Sequence, residues 1–566
     1  VAAATPADRD RWADALRVGS LLVVIVGHWL MVAVTPTGEI TNTLDLIPRL
    51  QPVTWVLQVM PLFFLVGGVA HAHSLGSLAR RGGTGPGGYA AFIRARAARL
   101  LRPTLAFLAV WVLLGVIADR TGLTSGSSWQ AALVVAALVM VPQLLWFVGI
   151  YLAVAAFAPA LYRAHGRWGL WAVVALCSAA LLVDLARFGA GLGILGNLNF
   201  ALVWLALHQC GFAWRDGSLT NGVAFVLVGV GVSGLALSIA VGPYPVSMVG
   251  LPGDEISNMS PPTVALLCQG LALIGIAALA RGPMARVLAR PRVWRGVVTA
   301  GAFAMTAFLW HLTALLFTLL SAWALGISLP EVGSAAWWWS RPVWFAVLAI
   351  PTAALVAIFI RFDRGPRSAA GVVTGQPRWV DWVAVAGVIA TVFGILMVSI
   401  VGVDILGNRA QFFLFGMLTP GQAFIVLLVG LGLLRLAAPL APESLVVDSR
   451  GMPRPDHPRS LAALARASRQ TRHGRGIPLP PRLDHARSLA ALARASRQTC
   501  HGRGIPLPPR QRGSVDAARV SRPSRGGALR LRPGSGSRPA TPRWPLPPVG
   551  ALSGPRWLSC GRWHRP

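Results

Sequence analysis

The chain has 566 residues, of which 55% are hydrophobic and only 12% charged, with a mean hydropathy of +0.61. Soluble domains carry about a quarter charged residues, so this composition excludes a soluble globular enzyme and predicts an all-α polytopic membrane protein. The net charge of +32 is uneven: residues 442–566 hold 24 Arg against 5 acids, residues 1–441 hold 27 Arg against 14, and there is no Lys. Cys177, Cys210, Cys268, Cys500 and Cys560 are scattered without a CxxC, which argues against a disulfide framework or a cysteine metal site.

The N-terminal segment VAAATPADRDRWADALR mixes acids and bases and lacks a cleavage pattern, so the first apolar run is expected to be a retained helix rather than a removed signal. Runs of about twenty apolar residues predict spans near 16–36, 52–71, 103–120, 143–162, 168–185, 192–213, 221–241, 262–280, 297–322, 342–360, 382–402 and 414–437. Twelve spans put both ends on one side. The stretch 129–142 is apolar enough for a partial or interfacial helix. Arginines gather in alternate loops (Arg80 to Arg102, Arg163 and Arg167, Arg281 to Arg295, Arg361 to Arg378), and the opposite loops carry Glu39, Asp45, Asp254, Glu255, Glu331 and Asp404. By the positive-inside rule both termini are expected in the cytoplasm, with the protein multi-pass in the plasma membrane.

The first span, RVGSLLVVIVGH, opens on Arg17 and reaches His28 eleven residues on. Eleven steps of 100° return to within about 20° of the starting face, with a rise of roughly 16 Å. The two side chains therefore share one stripe, Arg17 at the boundary and His28 near mid-membrane. An ionisable residue at that depth is a functional candidate; a histidine bonding a neighbouring helix is the plainer alternative. His311, in the ninth span, is expected either to bind an acceptor or to hold two helices. His71, His73 and His208 fall near span ends, where a hydrated histidine needs no explanation. Asp184 and Arg187, at i,i+3 on the fifth span, read as a local ion pair or as acceptor contacts. The loop Gly253–Thr263 is a solvated loop or a polar ligand contact, and Trp337–Trp339 read as interfacial anchors. No HExxH and no acidic cluster lies inside the spans, so no metal is expected.

Beyond residue 442 the composition changes. Residues 456–482 recur at 484–510 with a 28-residue period. Two copies are too few for a solenoid, and the Arg, Pro, Gly and Ser content predicts disorder. Contact with anionic lipid is one reading of this tail; a duplication without selected function is the other.

In order along the chain, Arg17 and His28, the stretch Met60–Gly68 (MPLFFLVGG), Arg96-Ala-Ala-Arg99, LWFVGIYL (Leu145–Leu152) and FLWH (Phe308–His311) resemble the motifs of the acyltransferase-3 family of membrane acyltransferases. Gly67 stands where many members have Ser. The resemblance covers roughly residues 8–370 and implies a ten-helix acyltransferase core (1–370) with two added helices (371–441), ahead of the basic tail (442–566) that composition marks off. It implies that His28 and Arg17 serve catalysis, that Arg96 and Arg99 bind acyl-CoA, and that acyl-CoA, acetyl-CoA first, is a co-substrate with no bound cofactor. The acceptor it implies is a hydroxyl of a carbohydrate or another envelope or secondary-metabolite molecule, with no specific nucleic acid. Forked arginine hydrogen bonds suit the phosphates of such a donor, and a near-neutral histidine suits either deprotonation of a hydroxyl or transient carriage of the acyl group. The rivals are a twelve-helix transporter or flippase, though residues 1–441 show no repeated half, and a membrane anchor presenting the tail.

Overall fold

The computed structural model describes residues 9–34, 40–83, 85–125, 129–251, 253–363, 376–413 and 416–438. The basic tail with its repeat lies outside the described residues. Sixteen α-helices occur among the described residues: α1 (Arg11–Met31), α2 (Thr43–Leu46), α3 (Thr54–Leu57), α4 (Met60–Arg80), α5 (Gly88–Arg120), α6 (Trp129–Gln143), α7 (Leu145–Trp168), α8 (Trp171–Gly189), α9 (Asn199–Asp216), α10 (Asn221–Val241), α11 (Val264–Leu279), α12 (Arg281–Leu288), α13 (Pro291–Ala324), α14 (Ala335–Asp363), α15 (Trp379–Val401) and α16 (Pro420–Leu436). Two short hairpins join them, β1 (Val32–Val34) with β2 (Ile40–Asn42), and β3 (Gln411–Phe413) with β4 (Gly416–Leu418).

Side-chain caps start several spans where the sequence offers an oxygen ahead of the apolar run. Asp10 accepts from Ala13 N on α1, Thr220 and Thr263 cap α10 and α11, and Thr419 with Gln422 forms a capping box on α16. Each such bond satisfies an amide that lipid could not.

Each of the twelve sequence-predicted spans coincides with a helix, but the count of twelve needs correction. Among the described residues nine helices are long and apolar enough to cross a membrane, ten if α11 and α12, bent by 57°, form one broken span. The other two differ for separate reasons. At 17 residues α16 falls short of the roughly 20 needed to span hydrocarbon. Helix α9 is buried on every face from Val203 to Trp214, so protein rather than lipid surrounds it and it tolerates Asn199, His208 and Gln209.

The stretch expected to be partial or interfacial is α6, which runs into α7 with one break at Leu144. Pro142 has no N–H to give the carbonyl of Leu138. That carbonyl instead accepts from Val403 N at 3.1 Å, just after α15. Gly402 makes the turn with φ +79°, and a Cβ there would collide with Leu138. Helices α15 and α16 pack through small residues, Gly394 on Leu427 and Gly430 on Thr391, the close approach that lipid-embedded helices rely on. Asp381 of α15 accepts from Gly87 N and Ala90 N at the start of α5, and Arg94 Nε reaches Leu434 O at 2.9 Å.

Candidate functional site within the helix bundle

Helices α1 and α13 lie side by side. Gly301 of α13 faces Arg17 (a Cβ there would be 3.6 Å from Arg17 Nη2), and ten residues further on His311 meets His28. His28 Nδ1 is 2.7 Å from His311 Nε2, the rings stacked at 5.0 Å with 16° between their planes. His311 Nδ1 is 2.6 Å from the carbonyl oxygen of Phe308. A carbonyl only accepts, so His311 carries its proton on Nδ1. Its Nε2 lone pair then accepts from His28 Nδ1–H, which leaves the lone pair of the neutral His28 on Nε2. His28 Nε2 has no protein partner among the described residues. His311 is fully enclosed (0% exposed) whereas His28 keeps part of its surface open. Trp29 Nε1 donates to His311 O at 3.3 Å and steadies the pair from behind.

At the other end of the stripe Arg17 pairs with Asp14 at 3.3 Å. Arg17, Arg96 and Arg99 all act electrostatically on Tyr151 of α7. Arg96 donates to Ser74 Oγ and lies over the Phe92 ring at 5.2 Å. Asp363, at the end of α14, accepts from Thr306 Oγ1 at 3.1 Å and feels Arg17 and Arg99. The arginines expected from the sequence thus converge, and Tyr151, Ser74 and Asp363 join them. Tyr151 lies within the LWFVGIYL motif, which pointed at its neighbourhood; Asp363 stands out only as a lone acid among the arginines after the tenth span. A cavity of about 400 Å³ opens beside this cluster between α5 and α14, lined by Arg102, Leu105, Ala106, Arg361 and Phe362.

Aromatic rings connect the two ends. Tyr151 and Phe147 are 6.1 Å apart, Phe147 and Phe308 5.4 Å, and Phe308 and His311 5.9 Å between centroids.

Other expected residues stand elsewhere. Asp184 is buried, and its oxygens accept from Asn199 Nδ2 (2.9 Å), Tyr244 OH (3.1 Å) and Val264 N (2.8 Å), tying α8, α9 and the start of α11. Arg187 lies over Phe188 at 4.5 Å rather than in a close ion pair with Asp184. His71 and His208 are not hydrated at span ends but buried (1% and 0% exposed) and bonded to each other at 2.9 Å. The cause is a glycine crossing: a Cβ on Gly68 would overlap His208 O, and one on Gly211 would overlap Leu65 O. Among the described residues no group of three or more His, Cys, Asp or Glu is placed to hold a metal.

Long apolar helices packed around an apolar core that encloses the His28–His311 and His71–His208 pairs define an integral membrane protein. A family model described as an acyltransferase domain matches residues 10–361. That is more than half of the chain, which therefore belongs to the acyltransferase-3 family and is a membrane acyltransferase. Membership decides for acyl transfer over the transporter and anchor readings. No curated protein and no solved structure matches the chain.

Proposed function

We propose that this protein transfers an acyl group, acetyl first, from cytoplasmic acyl-CoA to a hydroxyl of a carbohydrate or other envelope or secondary-metabolite acceptor, with His28 as general base. The observation that carries this reading is the tautomer set by the pair: His311, anchored on Phe308 O, holds His28 by Nδ1 and leaves the lone pair on His28 Nε2.

The anionic end of the donor binds Arg17, Arg96 and Arg99 at the cytoplasmic face of the plasma membrane. The thioester arm extends along α1 past Tyr151 and Phe147, covering roughly 16 Å to His28. The acceptor hydroxyl gives its proton to His28 Nε2 while its oxygen attacks the thioester carbonyl. The carbon–sulfur bond breaks, and the CoA thiolate takes the proton back from the imidazolium. His311 orients His28 throughout and shares the transient positive charge through the 2.7 Å bond. A short acyl group suits this reading, because the rings of Phe147 and Phe308, 5.4 Å apart between centroids, stand between the arginines and the histidine pair.

The same Nε2 would carry the acyl group if transfer proceeded through acyl-histidine. A single-turnover experiment with labelled acetyl-CoA and no acceptor separates the two. Label retained on protein after denaturation, and lost in His28→Ala, assigns a covalent relay; CoA release only with acceptor present assigns the base. A folded His28→Ala enzyme with full transfer activity overturns both roles.

A further inference from the structure

The cavity between α5 and α14, about 400 Å³ in volume, has two cations in its wall, Arg102 and Arg361. On α5, Arg99, Arg102 and Leu105 follow one another at three-residue steps, and Ala106 lies four residues after Arg102. Residues at these spacings share one helix face. Arg99 therefore stands one turn before the cavity that Arg102, Leu105 and Ala106 line. From α14 come Arg361 and Phe362. The next residue, Asp363, bonds Thr306 and feels both Arg17 and Arg99. Arg361 lies over the Phe362 ring at 5.0 Å, and that ring is 6.2 Å from Phe359, which braces this wall.

The arginine-bearing end of the bundle thus presents two groups of cations. Arg17, Arg96 and Arg99 stand at the start of the stripe toward His28, and Arg102 with Arg361 surrounds a cavity one turn away from Arg99. Acyl-CoA carries a matching pair of anionic centres on one ribose. Its 5′ diphosphate leads to the thioester arm, and its 3′ oxygen bears a separate phosphate monoester. Two forked guanidinium groups suit the oxygens of such a monoester. The cavity volume is in the range of small-molecule sites, and Leu105, Ala106 and Phe362 give the adenosine an apolar wall. The single phosphate of a simple lipid headgroup would match only one of the two groups.

We infer that Arg102 and Arg361 bind the 3′-phosphate of the donor, so that the enzyme selects CoA thioesters over thioesters that lack this group. The assignment rests on the reading that Arg17, Arg96 and Arg99 hold the diphosphate of acyl-CoA.

Full-length protein in detergent tests it with acetyl-CoA and acetyl-dephospho-CoA, which differ only in the 3′-phosphate. Adenosine 3′,5′-bisphosphate and 5′-AMP serve as binding probes, read by thermal stabilisation. The wild type should show a KM for the dephospho donor about tenfold or more above that for acetyl-CoA. It should be stabilised more by the bisphosphate than by 5′-AMP. Both arginines are exposed, so Arg102→Gln and Arg361→Gln keep the fold. Each should raise the KM for acetyl-CoA alone, bring the donor ratio toward one and equalise the two nucleotides. A ratio near one in the wild type, or an unchanged ratio in both variants, overturns the assignment. Stabilisation by phosphatidylglycerol that both variants lose, with the donor ratio unchanged, gives the cavity to a lipid headgroup instead. Arg96→Gln keeps the failures apart. Unchanged KM values for both donors in that variant, with the ratio intact, sink the diphosphate contact and spare the cavity. Raised KM values for both donors with no 3′-phosphate preference sink only the cavity.

Discussion

His28 Nδ1 and His311 Nε2 lie 2.7 Å apart although 283 residues separate them in the chain. The proposed reading of the pair as a base with an orienting partner rests on the far nitrogen of His311 being tied to Phe308 O. His28→Ala should lower kcat for CoA release by about 10²–10⁴. His311→Ala should lower it less and alter the pH–rate profile, since His28 is then free to take either tautomer. Unchanged kcat in both variants, with normal folding, removes the pair from catalysis.

The arginine cluster makes a separable prediction. Arg96→Ala and Arg99→Ala should raise the KM for acetyl-CoA several-fold each, with kcat nearly kept, because on the proposed reading each would lose a charge-assisted contact to phosphate. A truncated thioester without the nucleotide end should be used equally by wild type and both variants. Sensitivity of the truncated donor would place these arginines in another role.

Phe147 touches Tyr151, Phe63 and Phe308. Phe147→Ala removes one of the rings between the arginines and the histidine pair. It should shift the preferred donor from acetyl-CoA toward butyryl- or hexanoyl-CoA, read as the ratio of kcat/KM values. A ratio equal to wild type would mean that acyl length is set elsewhere.

Gly68 and Gly211 let α4 and α9 touch backbone to backbone. Gly68→Ala should destabilise the solubilised protein by about 1–3 kcal/mol through overpacking, measured as loss of thermal stability, and should disturb the His71–His208 bond. Gly217→Ala, remote from any neighbour but at φ +84°, offers a strain-only comparison.

Asp404 follows α15 and is buried, with Gly407 N donating to its Oδ1 at 2.8 Å. Burial pushes its pKa up, and the facing carboxylate of Asp119 pushes it further, against the Gly407 N–H and Arg409. A carboxyl with a higher pKa folded than unfolded adds stability while protonated, and that contribution is lost as pH rises through the folded value. Asp404→Asn should therefore raise Tm at neutral pH by about 1–2 °C and flatten its decline above the acid range. An identical pH dependence of Tm in the variant would contradict this origin.

The sequence by itself determined the membrane class, the positions of the helices and the shared stripe of Arg17 and His28, because each follows from local hydropathy and a fixed 100° step. It also carried the family motifs, including Arg96 and Arg99. Span count was less legible: α9 is enclosed by protein and α16 is short, and neither property shows in an apolar run. Tertiary structure alone decided the partners. His311 joined His28, Asp184 became a tie between helices, and His71 met His208 because two glycines allow backbones to touch. Which polar groups face each other across an interface depends on helix rotation and crossing. Those are set by packing over the whole bundle and leave no periodic trace in any one segment.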